Sequence, residues 1–524
     1  MSRTPLMQIL RRVIRAATAR PTNETHAAPA RRASTSLSRR RFLRQASATA
    51  AAVAAGVSIS GCAAGGRRKG ALTPRVAIVG GGLAGLNAAS HLNRAGIRAT
   101  IYEAAARTGG RIFSGRNLLA DGLVTEIGAE FIDSTHADLL GLAERFNLPR
   151  IDVAAPQEAG FHEAFYFDNR LVSEAELVEA FRPFAPRIAA DAAALGETID
   201  YLHDGNAGPL DRLSLAEYLE KLGVTGPLRK LLDVAYVTEY GLDAAEQSSL
   251  NLVAMIGTDL AAGRLQLYGD SDERYKIRGG NQQVVDALAG ELSGQIELGH
   301  HLKRLASAAE GYRLSFDRAG GGTVEVDADI VVLTIPFTLL RRVELRVDLP
   351  PVKKKAIAEL GYGKGLKLMA GFSRRVWRET HYNGDLFSDE PFQLAWDSSR
   401  LQDGAAGTMT LFSGGQASDA AAAGKPAEQL SRLLPGVEKA FAGLTAAYNG
   451  RVERFAWLHH PLTLGSYACY RPGQWTSIGG AEGAAVGNLL FAGEHCSRDF
   501  QGFMNGAAET GRKAAEEIAA RVRA

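Results

Sequence analysis

The sequence is poor in the residues on which several kinds of protein depend. Three cysteines in 524 residues, Cys62, Cys469 and Cys496, exclude a disulfide framework, and a chain this long buries enough surface not to need one. The paired histidines His300–His301 and His459–His460 are sequence neighbours. Neighbouring side chains do not usually converge on one ion, so no metal centre is expected. Long apolar runs are also missing. The uncharged stretch Ala46–Ile59 is alanine-rich, too short and too weakly apolar to be a spanning helix. A surplus of charge is absent where it would matter. The formal net charge is +3, but residues 1–62 hold eleven arginines and one acid, Glu24. The remainder carries 49 basic and 56 acidic residues, a balance of −7 that gives no reason to expect a nucleic-acid partner. What is left is ordinary globular composition, 46% hydrophobic and 22% charged, in a chain long enough for more than one domain.

Glycine is plentiful, and its placement is informative. Val76–Val79 is a short apolar run of the kind that forms a buried parallel strand. Gly80, Gly82 and Gly85 follow as G-x-G-x-x-G. The first allows the tight turn, the second lets backbone approach a pyrophosphate, and the third lets the next helix pack close. The spacing predicts a helix through Leu86, Ala89 and Leu92, stopped at Gly96. A second strand, Ala99–Tyr102, delivers Glu103 where a carboxylate takes the ribose hydroxyls of an adenine dinucleotide. Arg107, Gly109, Gly110 and Arg111 add a second glycine turn with guanidinium groups able to face the pyrophosphate. With this doubled turn the sequence resembles the flavin-dependent amine oxidase family of monoamine oxidases, polyamine oxidases and flavin histone demethylases, in which the turn belongs to FAD.

Further segments extend the resemblance over roughly residues 74–520. Glu126–Ile132 resembles the family segment lying along the isoalloxazine, which implies cofactor roles for Gly128, Ala129, Glu130 and Phe131. Leu302 sits where the family places an apolar residue against adenine. Gly361–Trp377 resembles the stretch whose lysine, here Lys367, holds a water at flavin N5. Alternation along that strand does not tell which face Lys367 occupies. Trp457–Gly473 resembles the segment with half of an aromatic cage, which places Tyr467 on the cage tyrosine. Ser466 stands where monoamine oxidases carry the cysteine bonded to flavin, which implies an FAD held without that thioether. Leu489–Gly511 resembles the C-terminal flavin motif. The match makes Gly493, Gly502 and Met504 cofactor contacts, gives Glu494 the ribityl chain, and puts Phe503 on the second cage position. Backbone near Met504, opening a helix, would face the flavin O2.

The leader has its own pattern. Ser38–Leu43 resembles a twin-arginine export signal, and Ile59, Ser60, Gly61 and Cys62 resemble a lipobox whose cysteine is lipidated. The expected organisation is therefore a leader over 1–62 and a tether over 63–73. An α/β, doubly wound, Rossmann-like FAD-binding domain follows, from 74–135, 273–345 and 455–524. A discontinuous α+β substrate domain takes 136–272 and 346–454. Within it, Ser214 and Glu217 read as a capping box, and Ala420–Gly424 as a surface loop.

The resemblance implies hydride transfer from the α-carbon of a neutral amine to flavin N5, hydrolysis of the imine, and reoxidation by oxygen or, alternatively, by a c-type cytochrome. The enzyme would be periplasmic or at the cell surface, touching the membrane only through its lipid anchor. L-Amino acid oxidases commonly place an arginine for the substrate carboxylate just after the segment ending at Ala129. Glu130 and Asp133 stand there instead, which disfavours an acidic substrate end. A desaturase or porphyrinogen oxidase shares the dinucleotide motif, but Lys367 and the Tyr467/Phe503 pair argue against it. A non-enzymatic flavoprotein, an electron carrier or binding module, is the remaining class.

Overall fold

The computed structural model describes residues 74–196, 198–254 and 271–524. The export signal, Cys62, the tether and the end of the helical stretch running to Leu267 lie outside the described residues.

The strand Val76–Val79 is the centre of the first sheet. Ala99–Glu103 pairs with it on one side and Ile330–Leu333 on the other, and Ile296–Leu298 and Leu489–Phe491 close the two edges. All four pairings are parallel, so every strand delivers its carboxyl end to the same rim. Alternate side chains go to opposite faces, as the two-residue strand repeat requires. Val76 and Ile78 pack with the helices Leu83–Arg94 and Met504–Arg523. Ala77 and Val79 pack instead with Leu305, Leu314 and Phe316 of a four-stranded sheet, so the second cover of the parallel sheet is β rather than helical. The α/β class follows directly from a fully buried apolar strand run joined to an amphipathic helix.

Local signals explain the element ends. Leu83–Arg94 stops at Ala95, and Gly96 follows at φ +78°, its N–H donating to Asn93 O. The capping box forms: Ser214 Oγ accepts from Glu217 N, and a Glu217 carboxylate oxygen accepts from Ser214 N, opening the helix Leu215–Leu222.

A second, seven-stranded sheet runs in the order Tyr448–Ala456, Leu366–Phe372, Gly407–Ser413, Leu394–Asp397, Tyr382–Ser388, His162–Phe167, Arg170–Leu171. One face packs on the helix Pro426–Glu438. The other carries Phe165, Phe387 and Phe412 against helices drawn from 174–253. The interior strand Leu366–Phe372 is buried throughout. Leu366, Leu368 and Ala370 face the Pro426–Glu438 side, whereas Met369 packs with Leu119 and Ile127. That assigns Lys367 to the face toward the 119–130 segment.

One expectation is corrected here. Ala420–Ala422 are not loop but the last turn of the helix Gly415–Ala422. The carbonyls of Ala421, Ala423 and Gly424 at its end are satisfied by the Arg454 guanidinium, which replaces a conventional cap.

Candidate functional site

At the carboxyl rim of the parallel sheet lies a cavity of about 1260 Å³, its mouth included. The three glycines of the first loop do three different jobs there. Gly80 sits at φ +110°, where a Cβ would meet Thr334 Oγ1 at 2.5 Å. A Cβ on Gly85 would lie 2.0 Å from Gly80 O, so that glycine lets helix and turn touch. A Cβ on Gly82 would have nothing within 4 Å, because Gly82 faces the cavity. The helix beginning at Leu83 has no side-chain cap, which leaves its first N–H groups for an anion.

The second glycine turn lies on the first. Gly109 N donates to Gly81 O at 2.8 Å, and a Cβ on Gly110 would come 3.4 Å from Gly82 Cα. Glu103 lines the cavity with each carboxylate oxygen accepting one backbone N–H, Gly81 at 2.5 Å and Ala105 at 2.7 Å. A carboxylate oxygen can accept more than one bond, so capacity remains for ribose hydroxyls. Burial raises the Glu103 carboxyl above its ordinary range, and the two N–H groups oppose this. Leu302, Tyr102, His300 and His301 line the far end. Phe503, Met504 and Ala507 line the other, where the 20-residue helix Met504–Arg523 opens without a side-chain cap. An apolar end, an acid and two uncapped helix starts beside glycine backbone fit the adenine, ribose and pyrophosphate of FAD and its ring O2.

Several residues singled out in the sequence do something other than expected. Arg107 lines the cavity, but Nη1 donates to Thr108 O and Ile112 O and Nη2 to Gly110 O, while the guanidinium lies over the Phe113 ring. It ties its own loop together. Arg111 Nη1 donates to Ser466 O at 2.6 Å and to Glu494 Oε1 at 2.9 Å. Glu494 also accepts from Gly502 N at 2.8 Å and, at longer range, from Ala468 N. Burial opposes its charge, but Arg111 and these donors outweigh it and hold the carboxyl below its ordinary range. Glu494 therefore staples three cavity segments, with Gly493 and Gly502 beside it in the wall.

Of the segment after Glu126, only Ala129 lines the cavity. Gly128 is a packing glycine, since a Cβ there would lie 2.0 Å from Arg111 O. Phe131 is in the core beside Trp396. Glu130 is 1% exposed and turned away from the cavity, with Oε2 2.9 Å from Lys367 Nζ and Oε1 3.1 Å from Lys276 Nζ. Burial opposes its ionisation, but the two ammonium groups overcome that and lower its pKa. Asp133 faces His136 at 3.2 Å and accepts from Glu273 N. Both carboxylates are therefore engaged with protein partners.

Lys367, which the resemblance puts at flavin N5, is bonded to protein acceptors in the structure. Its ammonium donates to Glu126 O at 2.8 Å, Gly128 O at 2.9 Å and Glu130 Oε2 at 2.9 Å. These three acceptors equal the ammonium's three protons in number and tie the lysine to the 126–130 segment.

Tyr467 and Phe503 are each 3% exposed. Gly502, the residue before Phe503, approaches Tyr467: a Cβ on it would be 4.0 Å from Tyr467 Cβ. Phe503 is in the cavity wall, with the His136 ring edge-on at 4.9 Å. Tyr467 stands outside the wall and donates its hydroxyl to Thr238 O at 2.8 Å. Burial first, then the neighbouring Glu239, pushes its phenol well above the ordinary range. Ser466 is fully buried, its Oγ without a hydrogen-bond partner among the described residues. Cys469 and Cys496 are both free. Sequence reasoning missed Thr334–Pro336, His460, Leu462 and Thr463, which also line the cavity. No local motif marks them, and their place follows only from strand order and chain return. Among the described residues no group of three His, Cys, Asp or Glu is placed to hold a metal, and no helix is long and apolar enough to cross a membrane.

Comparison with known proteins agrees with this geometry. The family of flavin containing amine oxidoreductases matches residues 83–519. A pseudooxynicotine dehydrogenase of a Pseudomonas species is 27% identical over 513 residues, covering 92% of this chain and 96% of that protein. An L-amino acid dehydrogenase of Synechocystis is 26% identical over 459 residues, covering 84% of this chain and 94% of the relative. Cyclohexylamine oxidase from Brevibacterium oxydans superposes with a TM-score of 0.75 at 23% identity, covering 86% of this chain and all of that one. The chain belongs to the flavin-containing amine oxidoreductases and is an FAD-dependent enzyme that oxidises amines.

Proposed function

We propose that the substrate is a small amine held in its neutral form between Tyr467 and Phe503, with the α-carbon presented to the flavin ring. FAD, when bound, supplies the two-electron acceptor; the chain supplies orientation and electrostatics. The observation that carries this reading is two buried aromatic residues beside Gly502: Phe503 in the cavity wall, and Tyr467, whose Cβ is 4.0 Å from where a Cβ on Gly502 would stand. The Tyr467 ring is fixed by its bond to Thr238 O, and the Phe503 ring by the edge of His136. Neither needs a proton to act, so acid–base demands on the site are small. An anaerobic panel of amines, followed by bleaching of the flavin absorbance, tests it. No bleaching with any amine would refute it.

A second reading is favoured by one observation. Lys276 and Lys367 offset the charge of Glu130, which lessens its repulsion of a carboxylate-bearing substrate. One relative is named as an L-amino acid dehydrogenase. The panel therefore includes L-amino acids, and reduction by these alone would select this reading.

FAD is held without a thioether, because a serine hydroxyl at position 466 offers no sulfur. Acid precipitation should leave yellow FAD in the supernatant, and colour in the pellet would refute this. Oxygen is the expected acceptor and a c-type cytochrome the alternative. Mixing anaerobically reduced enzyme with each, at low and high salt, distinguishes them. The enzyme is exported by a twin-arginine route and anchored at Cys62 in the periplasm or at the cell surface, a reading supported by Ser38–Leu43 and Ile59–Cys62. Cys62→Ala should move it from the detergent phase to the aqueous phase.

A further inference from the structure

We infer that Lys276 is a positioning residue for the redox balance of the flavin: it brings a second buried ammonium group onto Glu130 and so places surplus positive charge behind the cavity wall. The inference rests on FAD occupying the cavity.

Lys276 lies in the short strand Tyr275–Ile277 and is 4% exposed. Its Nζ donates to Glu130 Oε1 at 3.1 Å and to Ser398 O at 2.9 Å, and stands 5.5 Å from the centre of the Phe131 ring. Lys367 takes the other oxygen of the same carboxylate at 2.9 Å. Two ammonium groups thus share one carboxylate, and all three side chains are at most 5% exposed. The wall they support is close. Lys367 also holds Glu126 O and Gly128 O, and Asn281 Nδ2 holds Ala129 O and Glu130 O, so the backbone lining the cavity at Ala129 is gripped from behind.

A further carboxyl that interacts with Glu130 and Lys367 is Glu126, whose oxygens accept from Ser114 Oγ and Asn281 N. Burial pushes its carboxyl up to about 7. At pH 6 it is mostly neutral, and the cluster of Lys276, Lys367 and Glu130 carries one surplus positive charge. Reduction of a flavin adds negative charge to the ring system. A buried positive charge, weakly screened by solvent, favours that added charge. A lysine that served packing alone would have no such effect.

The test is the reduction potential of FAD-loaded enzyme, measured at pH 6 by anaerobic equilibration against a reference dye. Lys276→Met removes one positive charge and should shift the reduction equilibrium at least tenfold toward oxidised flavin, about 30 mV for a two-electron couple. Glu130→Gln removes the single negative charge and should shift it at least tenfold the opposite way. Lys276→Arg keeps the charge and should stay within threefold of the parent. Should Lys276→Met not retain flavin, Glu130→Gln against Lys276→Arg still decides the sign. Shifts in the same direction for both charge-removing variants, or shifts below threefold in both, would overturn the inference while leaving amine oxidation intact. A chain that takes up no flavin would end both readings.

Discussion

Replacing Lys367 by methionine separates two accounts of this residue. The resemblance to amine oxidases makes it a holder of water at the flavin, so its loss would appear in rates. The structure makes it a tie holding the Glu126–Glu130 segment. Methionine keeps the length but removes three donors, leaving the carbonyls of Glu126 and Gly128 buried without that partner. An unsatisfied buried acceptor costs about 1–3 kcal/mol, and breaking a buried ion pair costs about 3–5 kcal/mol. Glu130 keeps Lys276, so the ion-pair cost falls at the low end of that range. A total of at least about 5 kcal/mol follows. At about 2.1 cal/mol/K per residue over roughly 450 residues, the unfolding entropy is near 0.9 kcal/mol/K, and the midpoint should fall by at least roughly 5 °C. Thermal unfolding of the flavin-loaded variant checks this, alongside stopped-flow half-reactions. A midpoint within about 1 °C of the parent, with either half-reaction slowed more than about tenfold, would refute the structural account and restore the water-holding one.

Three other outcomes are expected. Gly82→Ala should fold normally yet lose flavin, because its Cβ enters open cavity at an ordinary φ of −76°, while Gly85→Ala should fail to fold, because its Cβ meets Gly80 O at 2.0 Å; flavin absorbance and circular dichroism distinguish them, and equal behaviour would contradict the assignment. Phe503→Ala should retain FAD yet lower kcat/KM at least tenfold, about 1.4 kcal/mol of transition-state stabilisation, by emptying one side of the amine's sandwich; steady-state kinetics with any active amine checks it. Burial raises the carboxyls of Glu126 and Glu482 to about 7, so each folded-state group keeps a proton that the unfolded chain releases near its ordinary value of 4.5. Their contribution is complete below that value and is lost as pH rises through 7, so the fall in Tm from pH 5 to pH 8 should shrink in Glu482→Gln, and an unchanged fall would refute the assignment.

The sequence by itself determined everything that depends on short-range backbone geometry. Gly80, Gly82 and Gly85 have roles set by a turn, an approach and a packing contact within six residues. The helix they open, its stop at Gly96 and the Ser214–Glu217 box are equally local. The aromatic pair is an expectation of motif spacing, which puts residues 467 and 503 on one cofactor; of the two, Phe503 lines the cavity. Tertiary structure decided where the charged side chains point. Lys367, Glu130 and Lys276 come from three distant stretches, and a flexible charged side chain goes to whichever buried acceptor the fold brings within reach. Nothing along the chain says that Glu130 meets two lysines, or that Arg107 closes its own loop rather than reaching outward. The same holds for Thr334, which lines the cavity because parallel strand order brings Ile330–Leu333 beside Val76–Val79. Local sequence fixes backbone because φ and ψ are set by neighbours; pairing among buried charges is set by desolvation, which only the completed fold imposes.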